Sequence, residues 1–471
     1  MKKVVLFLST LICLLIGSTR QIQAIYDPTI VANNRFGIHL GSPADLEEAA
    51  SLINSSGGDW GYVTFVIQKG ERNTNHWQKV FDKARRLHLI PIVRIATKGN
   101  GVNWEKPSFG DIDGWISFLN SLNWVIKNRY VVIGNEPNHA KEWGGEVNPE
   151  EYATYLKIFS EKLKKSSADF FILPAGLDAS AANSKETMDE SLFIRRMIEK
   201  EKGIFEYFDG WTSHSYPNPS FSASEYASGK GSIKTYEWEI NYLKSLGLKK
   251  DLPIFITETG WIHNGSGNSF KQLKTENIGQ RLTNAYKFIW NNKNIAAVTP
   301  FILNYPEPPF NVFSWKDKSG SFYSFYYDVQ KLAKIKGEPI QEINGLIISI
   351  LIPPLQQIGQ NFSGIVLVKN TGQSIWENNQ IQIRSKEKEG IKILSTSFNQ
   401  IEPGNEGFIF IKAISPEKTG ISIGNLELSI NNQSLGNAYS YHIFVISPIK
   451  VNFEAIFDKI ISVFKGLTQK F

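Results

Sequence analysis

Two glutamates stand where short apolar runs of the sequence end. Glu136 follows the run of residues 131–133 with Asn135 beside it, and Glu258 follows the run of residues 254–256 after one Thr. A carboxylate at the end of a buried apolar run lowers stability unless a charge or a hydrogen bond compensates it. Two such positions, each flanked by polar residues, therefore indicate chemistry rather than packing. The alternative is a pair of acids on surface loops.

A pair of carboxyl groups suits the cleavage of a glycosidic bond. One carboxylic acid protonates the departing oxygen while the second carboxylate attacks the anomeric carbon. A separation of about 5–5.5 Å allows this direct attack and retains the configuration, whereas a wider gap admits water and inverts it. The acid must remain protonated near neutral pH, so we expect burial and its neighbour's charge to raise its pKa.

The elements that must position the two glutamates recur along the chain. Eight apolar, strand-like runs occur at residues 35–40, 62–67, 90–96, 130–134, 170–174, 208–214, 254–258 and 296–303. Amphipathic stretches with helical spacing lie between them, at residues 75–87, 150–163 and 275–290 among others. This alternation predicts an α/β fold, a (β/α)8 TIM barrel, rather than an open doubly wound sheet. Glu136 and Glu258 then end strands four and seven, whose carboxyl ends face one mouth.

A third polar segment ends the sixth predicted strand and includes His214 and Tyr216. Together the three segments resemble the retaining (β/α)8 glycoside hydrolases, the clan that includes many cellulases, mannanases and β-glycosidases. The resemblance implies that Glu136 is the general acid/base and that Glu258 is the nucleophile. It further implies that Asn135 contacts the sugar 2-hydroxyl and that Tyr216 hydrogen-bonds the nucleophile. The alternative for His214 and Tyr216 is a hydrogen-bonded pair in the core.

Four other residues are weaker candidates for binding the substrate. Arg94, near the end of strand three, resembles a basic residue that some clan members hold near the nucleophile. His39 ends strand one, where it either faces the mouth or makes a structural hydrogen bond. Trp261 and Trp315 either stack on sugar or fill the barrel rim. The clan often places a His at the end of strand three, and its absence here leaves the individual family open.

The composition excludes several classes of protein. With 42% hydrophobic and 20% charged residues, the 471-residue chain is neither disordered, nor collagen-like, nor a polytopic membrane protein. A net charge of +6 without a nucleic-acid module indicates no nucleic-acid partner. The seven histidines are scattered, and the Glu-x-x-His spacing of Glu136 and His139 is interrupted by Pro137. We therefore expect neither a cofactor nor a catalytic metal. The substrate that the carboxyl pair and the resemblance imply is a carbohydrate.

The first 24 residues predict a secretory signal peptide. Lys2 and Lys3 precede an apolar run over residues 4–17, and a polar stretch ends at Ala24. Its removal would also remove Cys13, the one cysteine of the chain. The expected location is therefore secreted or at the cell surface, without disulfides; an uncleaved N-terminal anchor is the alternative.

The pattern changes after the predicted catalytic domain, residues 25–338. Residues 343–447 contain seven strand candidates separated by turns, which predicts a β-sandwich. The segment 366–372, followed by Trp376, resembles immunoglobulin-like modules of bacterial surface proteins that carry an Asn-Thr-Gly turn and a core Trp.

The last segment, residues 451–471, has one apolar face at helical spacing. It predicts an amphipathic helix docked on a domain, or alternatively an interfacial helix in peripheral contact with a membrane or the cell surface. For the whole chain, the alternative to an exported glycosidase is a noncatalytic glycan-binding or cell-surface adhesion protein that keeps the barrel.

Overall fold

The computed structural model describes residues 25–101, 103–263, 273–378, 380–448, 457–459 and 461–462. The predicted signal peptide and most of the predicted C-terminal helix lie outside this part of the chain. The described chain divides into two compact units. One contains the residues up to Pro339 except Asn123–Ile126; the other contains Asn123–Ile126 and the residues from Ile340 onward.

Eight parallel strands form the two main sheets of the first unit, which also contains a short antiparallel pair, Gly99–Asn100 and Asn103–Trp104. The eight parallel strands are β1 Gly37–Leu40, β2 Gly61–Gln68, β3 Leu89–Ala96, β4 Arg129–Ile133, β5 Phe170–Pro174, β6 Trp211–His214, β7 Ile254–Glu258 and β8 Ile295–Val298. Strands β1 to β5 pair in sequence order, and β6, β7 and β8 form a second sheet. Isolated parallel bridges join Phe36 to Val298 and Asp178 to His214, at the margins of the two sheets. The predicted mixed α/β class with parallel strands is confirmed.

Helices alternate with these strands. They are α1 Leu46–Ile53, α2 Thr74–Arg86, α3 Ile112–Ser121, α4 Pro149–Ser166, α5 Glu190–Lys200, α6 Thr235–Ser245, α7 Thr275–Asn284 and α8 Ser324–Gln330. Helix α4 shows how the sequence sets a helix start, because the Asn148 side chain accepts a hydrogen bond from the backbone N–H of Glu151. Pro149 then occupies the first turn, where no backbone donor is required.

Aromatic side chains fill the space between the strands. Tyr62 of β2, Tyr130 of β4, Phe171 of β5 and Phe255 of β7 are almost fully buried. The ring centroids of Tyr130 and Phe255 lie 5.2 Å apart, and those of Tyr62 and Phe255 lie 6.4 Å apart. Since β2 and β7 belong to different sheets, the two sheets enclose one common core.

Two glutamates are fully buried behind strand β6. Glu190 begins helix α5, Glu239 lies in helix α6, and both side chains are 0% exposed. Burial raises the pKa of both carboxyl groups, and the charge of Glu239 raises that of Glu190 further. The folded protein therefore retains protons that the unfolded chain releases above about pH 4.3.

This buried pair predicts a pH-dependent stability. Because the folded-state pKa values are raised, the stabilisation is complete below about pH 4.3 and is lost as the pH rises through the folded-state values. We expect the free energy of unfolding to fall by up to about 1.4 kcal/mol per pH unit for each proton released. Glu239→Gln should reduce this slope, whereas Glu199→Gln, at an exposed site of α5, should not. Urea unfolding between pH 5 and pH 9 measures this slope. Equal slopes in the wild type and both variants would contradict the prediction.

The strands of the second unit form two sheets, in which most neighbouring strands are antiparallel. The strands are β9 Gly345–Leu351, β10 Leu355–Gln357, β11 Asn361–Asn370, β12 Gln382–Ser385, β13 Lys392–Ser397, β14 Glu406–Ile414, β15 Gly420–Ile430 and β16 Gln433–Ile446. One sheet has the order β9-β11-β14-β13 and the other β10-β16-β15-β12. The inner faces of both sheets contribute to one core around Trp376, which is 0% exposed. The predicted β-rich C-terminal part is confirmed.

Within the described ranges, no helix is long and apolar enough to cross a membrane.

Candidate active site

Glu136 lies at the carboxyl end of β4, where the backbone turns sharply. Gly134 has a φ of 92° and Glu136 a φ of 31°, both in the region that residues with a side chain rarely adopt. Such a conformation costs on the order of 1–3 kcal/mol in a non-glycine residue and is concentrated at functional sites. The backbone N–H of Glu136 donates to the carbonyl of Gly176 after β5, at 3.0 Å. This turn places the Glu136 carboxyl in the cavity at the strand ends.

Glu258 ends β7 and is held by two donors. Arg94 Nη1 donates to Oε1 at 3.0 Å, and the Tyr216 hydroxyl donates to Oε2 at 3.1 Å. Burial alone would raise the pKa of Glu258, but His214, Arg94 and the Tyr216 hydrogen bond outweigh it and lower the pKa below its ordinary value. Glu258 is therefore a carboxylate whose oxygens face the cavity.

His214 lies between the two glutamates at the end of β6. Its Nδ1 is 2.9 Å from Oε1 of Glu136 and 3.8 Å from Oε2 of Glu258. Burial lowers the pKa of His214, but the charges of Glu258 and Glu136 raise it above its ordinary value. One oxygen of each glutamate and one nitrogen of His214 lie within 4.8 Å of one another. The two carboxyl groups thus face each other at short range, bridged by an imidazole.

Arg94 connects the side chain of Asn135 to that of Glu258. Its Nη1 donates to the side-chain oxygen of Asn135 as well as to Glu258. Strands β3 and β4 are neighbours in the sheet, which brings Arg94 beside the end of β4. Asn135 lines the same cavity as both glutamates.

His39 is the residue before the last of β1 and is 2% exposed. Burial and the charge of Arg94 lower its pKa to about 3, so its ring is neutral. Its edge packs against Phe301 with centroids 5.0 Å apart, and within the described chain neither ring nitrogen has a hydrogen-bond partner.

Glu136, Glu258, Arg94, Asn135 and Tyr216 all line one cavity of about 380 Å³. Its aromatic lining includes side chains that the sequence analysis did not single out: Trp104, Trp115, Trp143, Tyr155, Phe221, Phe301, Phe310 and Phe313. A cavity of this size falls in the usual range of sites for small ligands.

The two predicted tryptophans lie elsewhere. Trp261 is 3% exposed and donates through Nε1 to the carbonyl of Ala223 at 2.8 Å. Trp315 is also 3% exposed and packs edge-on against Phe325, with centroids 5.2 Å apart. Neither lines the cavity, so the structure does not bring them to the glutamates.

A charged pair beside Glu136 was not predicted. His139 Nε2 lies 2.8 Å from Oδ2 of Asp178, and both residues line the cavity. Burial raises the pKa of Asp178, but hydrogen bonds from His139 and Ser180 hold it at about 2. Asp178 follows β5 by four residues, so it is a polar residue just after a strand end, as Glu136 is.

A third carboxyl group, that of Glu142, also lines the cavity. Burial and the charge of Glu136 raise its pKa above its ordinary value. Like charges in one cavity disfavour each other's ionised forms.

Glu136, His214 and Glu258 present three atoms that could ligate a metal ion. The same atoms take part in contacts with Arg94, Tyr216 and one another. A carboxylate already bonded to a guanidinium and a phenol is a poor competitor for a cation, so the donor set favours proton transfer and nucleophilic attack.

The comparisons with known proteins are structural. No family model matches the chain, and no curated protein matches it. Among solved structures, an FMN-binding β-glucuronidase from Facaelibacterium prausnitzii is 11% identical, with 88% of this chain and 57% of that chain covered at a TM-score of 0.40. A monomeric β-xylosidase from Caulobacter crescentus is 10% identical, with coverages of 86% and 85% at 0.44. A β-mannanase from Thermomonospora fusca is 13% identical, with coverages of 64% and 90% at 0.41.

The chain resembles TIM-barrel glycoside hydrolases. It spans about half the length of the β-glucuronidases, from 46% to 57%.

Proposed function

We propose that the chain is an exported retaining glycoside hydrolase that cleaves O-glycosidic bonds of an oligosaccharide or polysaccharide. The observation that carries the proposal is the pair Glu136 and Glu258, which end two parallel strands and approach within 4.8 Å across His214. Such proximity supports direct attack rather than attack by an intervening water.

The proposed reaction has two displacements. Glu258 attacks the anomeric carbon while Glu136 gives its proton to the departing oxygen, which leaves a covalent glycosyl–enzyme and a free alcohol. Glu136, now a carboxylate, then takes a proton from water, and the water oxygen displaces Glu258 with overall retention.

The surrounding residues set the charges for these steps. Arg94 and Tyr216 favour the ionised form of Glu258, as attack requires. The charges of Glu258 and Glu136 raise the pKa of His214, whose Nδ1 lies 2.9 Å from Glu136 and 3.8 Å from Glu258. We assign to Asn135, which lines the cavity, the contact with the sugar 2-hydroxyl.

We extend the proposal to the fold and the location. The strand order, the two marginal bridges and the shared aromatic core support a closed (β/α)8 barrel. The two sheets around Trp376 support an immunoglobulin-like module. Export rests on the signal-like sequence of residues 1–24.

Product analysis tests the proposal. The purified chain would be incubated with a panel of polysaccharides and aryl glycosides, and the anomeric configuration of the first product followed by proton NMR. We expect release of sugar with retained configuration from at least one substrate. Inverted product would overturn the retaining mechanism. Binding without turnover on the whole panel would favour the noncatalytic glycan-binding alternative.

Gly176 provides a sharper test of the role of His214. A Cβ atom at position 176 would lie 2.2 Å from Cδ2 and 2.5 Å from Nε2 of His214, closer than real contacts allow. Gly176→Ala should therefore push His214 away from Glu136 and lower kcat by about 100-fold, the scale of a 1 Å misplacement. In the control Gly203→Ala, the added atom meets nothing within 4 Å. A wild-type kcat in Gly176→Ala would contradict the proposed role.

A further inference from the structure

The lining of the active-site cavity contains charged side chains and a cluster of phenylalanines. The charged side chains come from the ends of strands and the loops up to residue 178, together with Glu258, and Trp104, Trp115, Trp143 and Tyr155 line the cavity from the same part of the chain. Four phenylalanines come from the segments after β6 and β8, and we call them the phenylalanine wall: Phe221, Phe301, Phe310 and Phe313.

The rings of the phenylalanine wall contact one another edge to face. Phe221 and Phe313 have centroids 5.1 Å apart at 83°, and Phe301 and Phe310 have centroids 5.3 Å apart at 83°. Phe301 and Phe313 lie 5.9 Å apart at 78°. The wall is continuous with Tyr216, whose ring lies 5.6 Å from Phe313 and whose hydroxyl bonds Glu258. The apolar surface therefore begins at the reacting groups.

This surface suits a hydrocarbon group better than a bare sugar ring. A phenylalanine side chain has no donor or acceptor, so sugar hydroxyls held against it would lose their hydrogen bonds with water. Rings packed edge to face also present no continuous flat platform for stacking. Phe310 remains 41% exposed at this wall, and covering it with an apolar group would be favourable.

Polar side chains of the same cavity suit the remainder of such a molecule. Asn135, Glu142 and the pair His139 and Asp178 offer donors and acceptors to sugar hydroxyls. One cavity thus matches an amphipathic ligand that carries both hydroxyls and hydrocarbon.

We propose that the phenylalanine wall binds an apolar group of the glycoside substrate, and that the enzyme prefers glycosides carrying such a group. This inference rests on the proposed glycosidase function. The group has two possible sources with the same chemistry, an alkyl or aryl aglycone and the methyl group of a 6-deoxy sugar.

The test measures binding, so it does not require turnover. Glu258→Gln protein is titrated with hexyl and methyl glycosides of glucose, galactose, mannose and xylose. Its intrinsic tryptophan fluorescence, to which Trp104, Trp115 and Trp143 in the cavity contribute, is followed. A second arm compares methyl 6-deoxyglucoside and methyl 6-deoxygalactoside with methyl glucoside and methyl galactoside. Phe310→Ala is added to the same background, with Phe288→Ala as control, because Phe288 is 66% exposed and does not line the cavity.

In one of the two arms, we expect the glycoside that carries the apolar group to bind about tenfold more tightly than its partner without it. This ratio corresponds to about 1.4 kcal/mol of binding free energy. Phe310→Ala should reduce that ratio at least threefold, and Phe288→Ala should leave it unchanged. The arm that shows the preference identifies the source of the group. Ratios near one in both arms, or a preference that survives Phe310→Ala, would overturn the inference. Hydrolysis by the unaltered chain decides the proposed function separately.

Discussion

Glu258→Gln should lower kcat/KM for glycoside hydrolysis by about 10⁴-fold or more, the scale on which enzymes lose activity without their nucleophile. Arg94 and Tyr216 bond the two carboxylate oxygens at 3.0 and 3.1 Å. The amide keeps the size of the side chain and one oxygen, which can accept from one of these donors. It cannot form the glycosyl ester that the first displacement requires. The loss should therefore occur in kcat, with the melting temperature within a few degrees of the wild type.

Two comparisons separate loss of the nucleophile from loss of structure. Glu225→Gln alters another buried glutamate, 7% exposed and bonded to Asn284, that does not line the cavity, and it should retain activity. Glu258→Gly leaves space for a small anion, so added azide should restore turnover of an aryl glycoside in one displacement and give a glycosyl azide of inverted configuration. Hydrolysis at the wild-type rate by Glu258→Gln would remove this residue from the mechanism.

The carboxyl ends of most parallel strands could be predicted because buried parallel strands are continuous apolar runs. The predicted strand over residues 296–303 is an exception, since β8 ends at Val298. The predicted strand over residues 254–258 coincides with the observed β7, and residues 170–174 coincide with β5. Strand β10, Leu355–Gln357, was not predicted, since three residues are too few to show an alternation.

The grouping of Arg94, Glu136, His214, Tyr216 and Glu258 follows from these strands. Once each residue is placed at the carboxyl end of a parallel strand, the topology brings the five side chains to the same edge, whatever their separation in sequence. The contacts among them in the structure span up to 164 positions, between Arg94 and Glu258.

The cavity walls could not be predicted in the same way, because they belong to loops. Trp315 was selected as the aromatic residue after strand eight, yet the path of that segment places Phe310 and Phe313 at the cavity and Trp315 against Phe325. Composition alone does not distinguish an aromatic side chain that lines a cavity from one that fills a core. Pairs such as His139 and Asp178 depend on where two separate loops meet.

Glu136→Ala should produce a loss that depends on the leaving group. A general acid contributes on the order of 10²–10⁴-fold by protonating the departing oxygen. For aryl glycosides with a strongly acidic phenol this help is small, so the first displacement should remain fast and the glycosyl–enzyme should accumulate, visible as a burst of phenol. For phenols of high pKa the first displacement should itself become slow, so that the logarithm of kcat/KM falls steeply with leaving-group pKa in the variant but only slightly in the wild type.

The same variant distinguishes the base role of Glu136 from a structural one. Azide needs no proton removed, so it should attack the accumulated glycosyl–enzyme on Glu258 and give a glycosyl azide of retained configuration, opposite to the product from Glu258→Gly. Glu186→Ala, an exposed glutamate in the loop after β5, serves as the control. A loss that is uniform across leaving groups and unaffected by azide would mean that Glu136 holds His214 in place, through the contact at 2.9 Å, without transferring protons. The two azide products together assign the carboxyl groups, because each configuration reports which glutamate is missing.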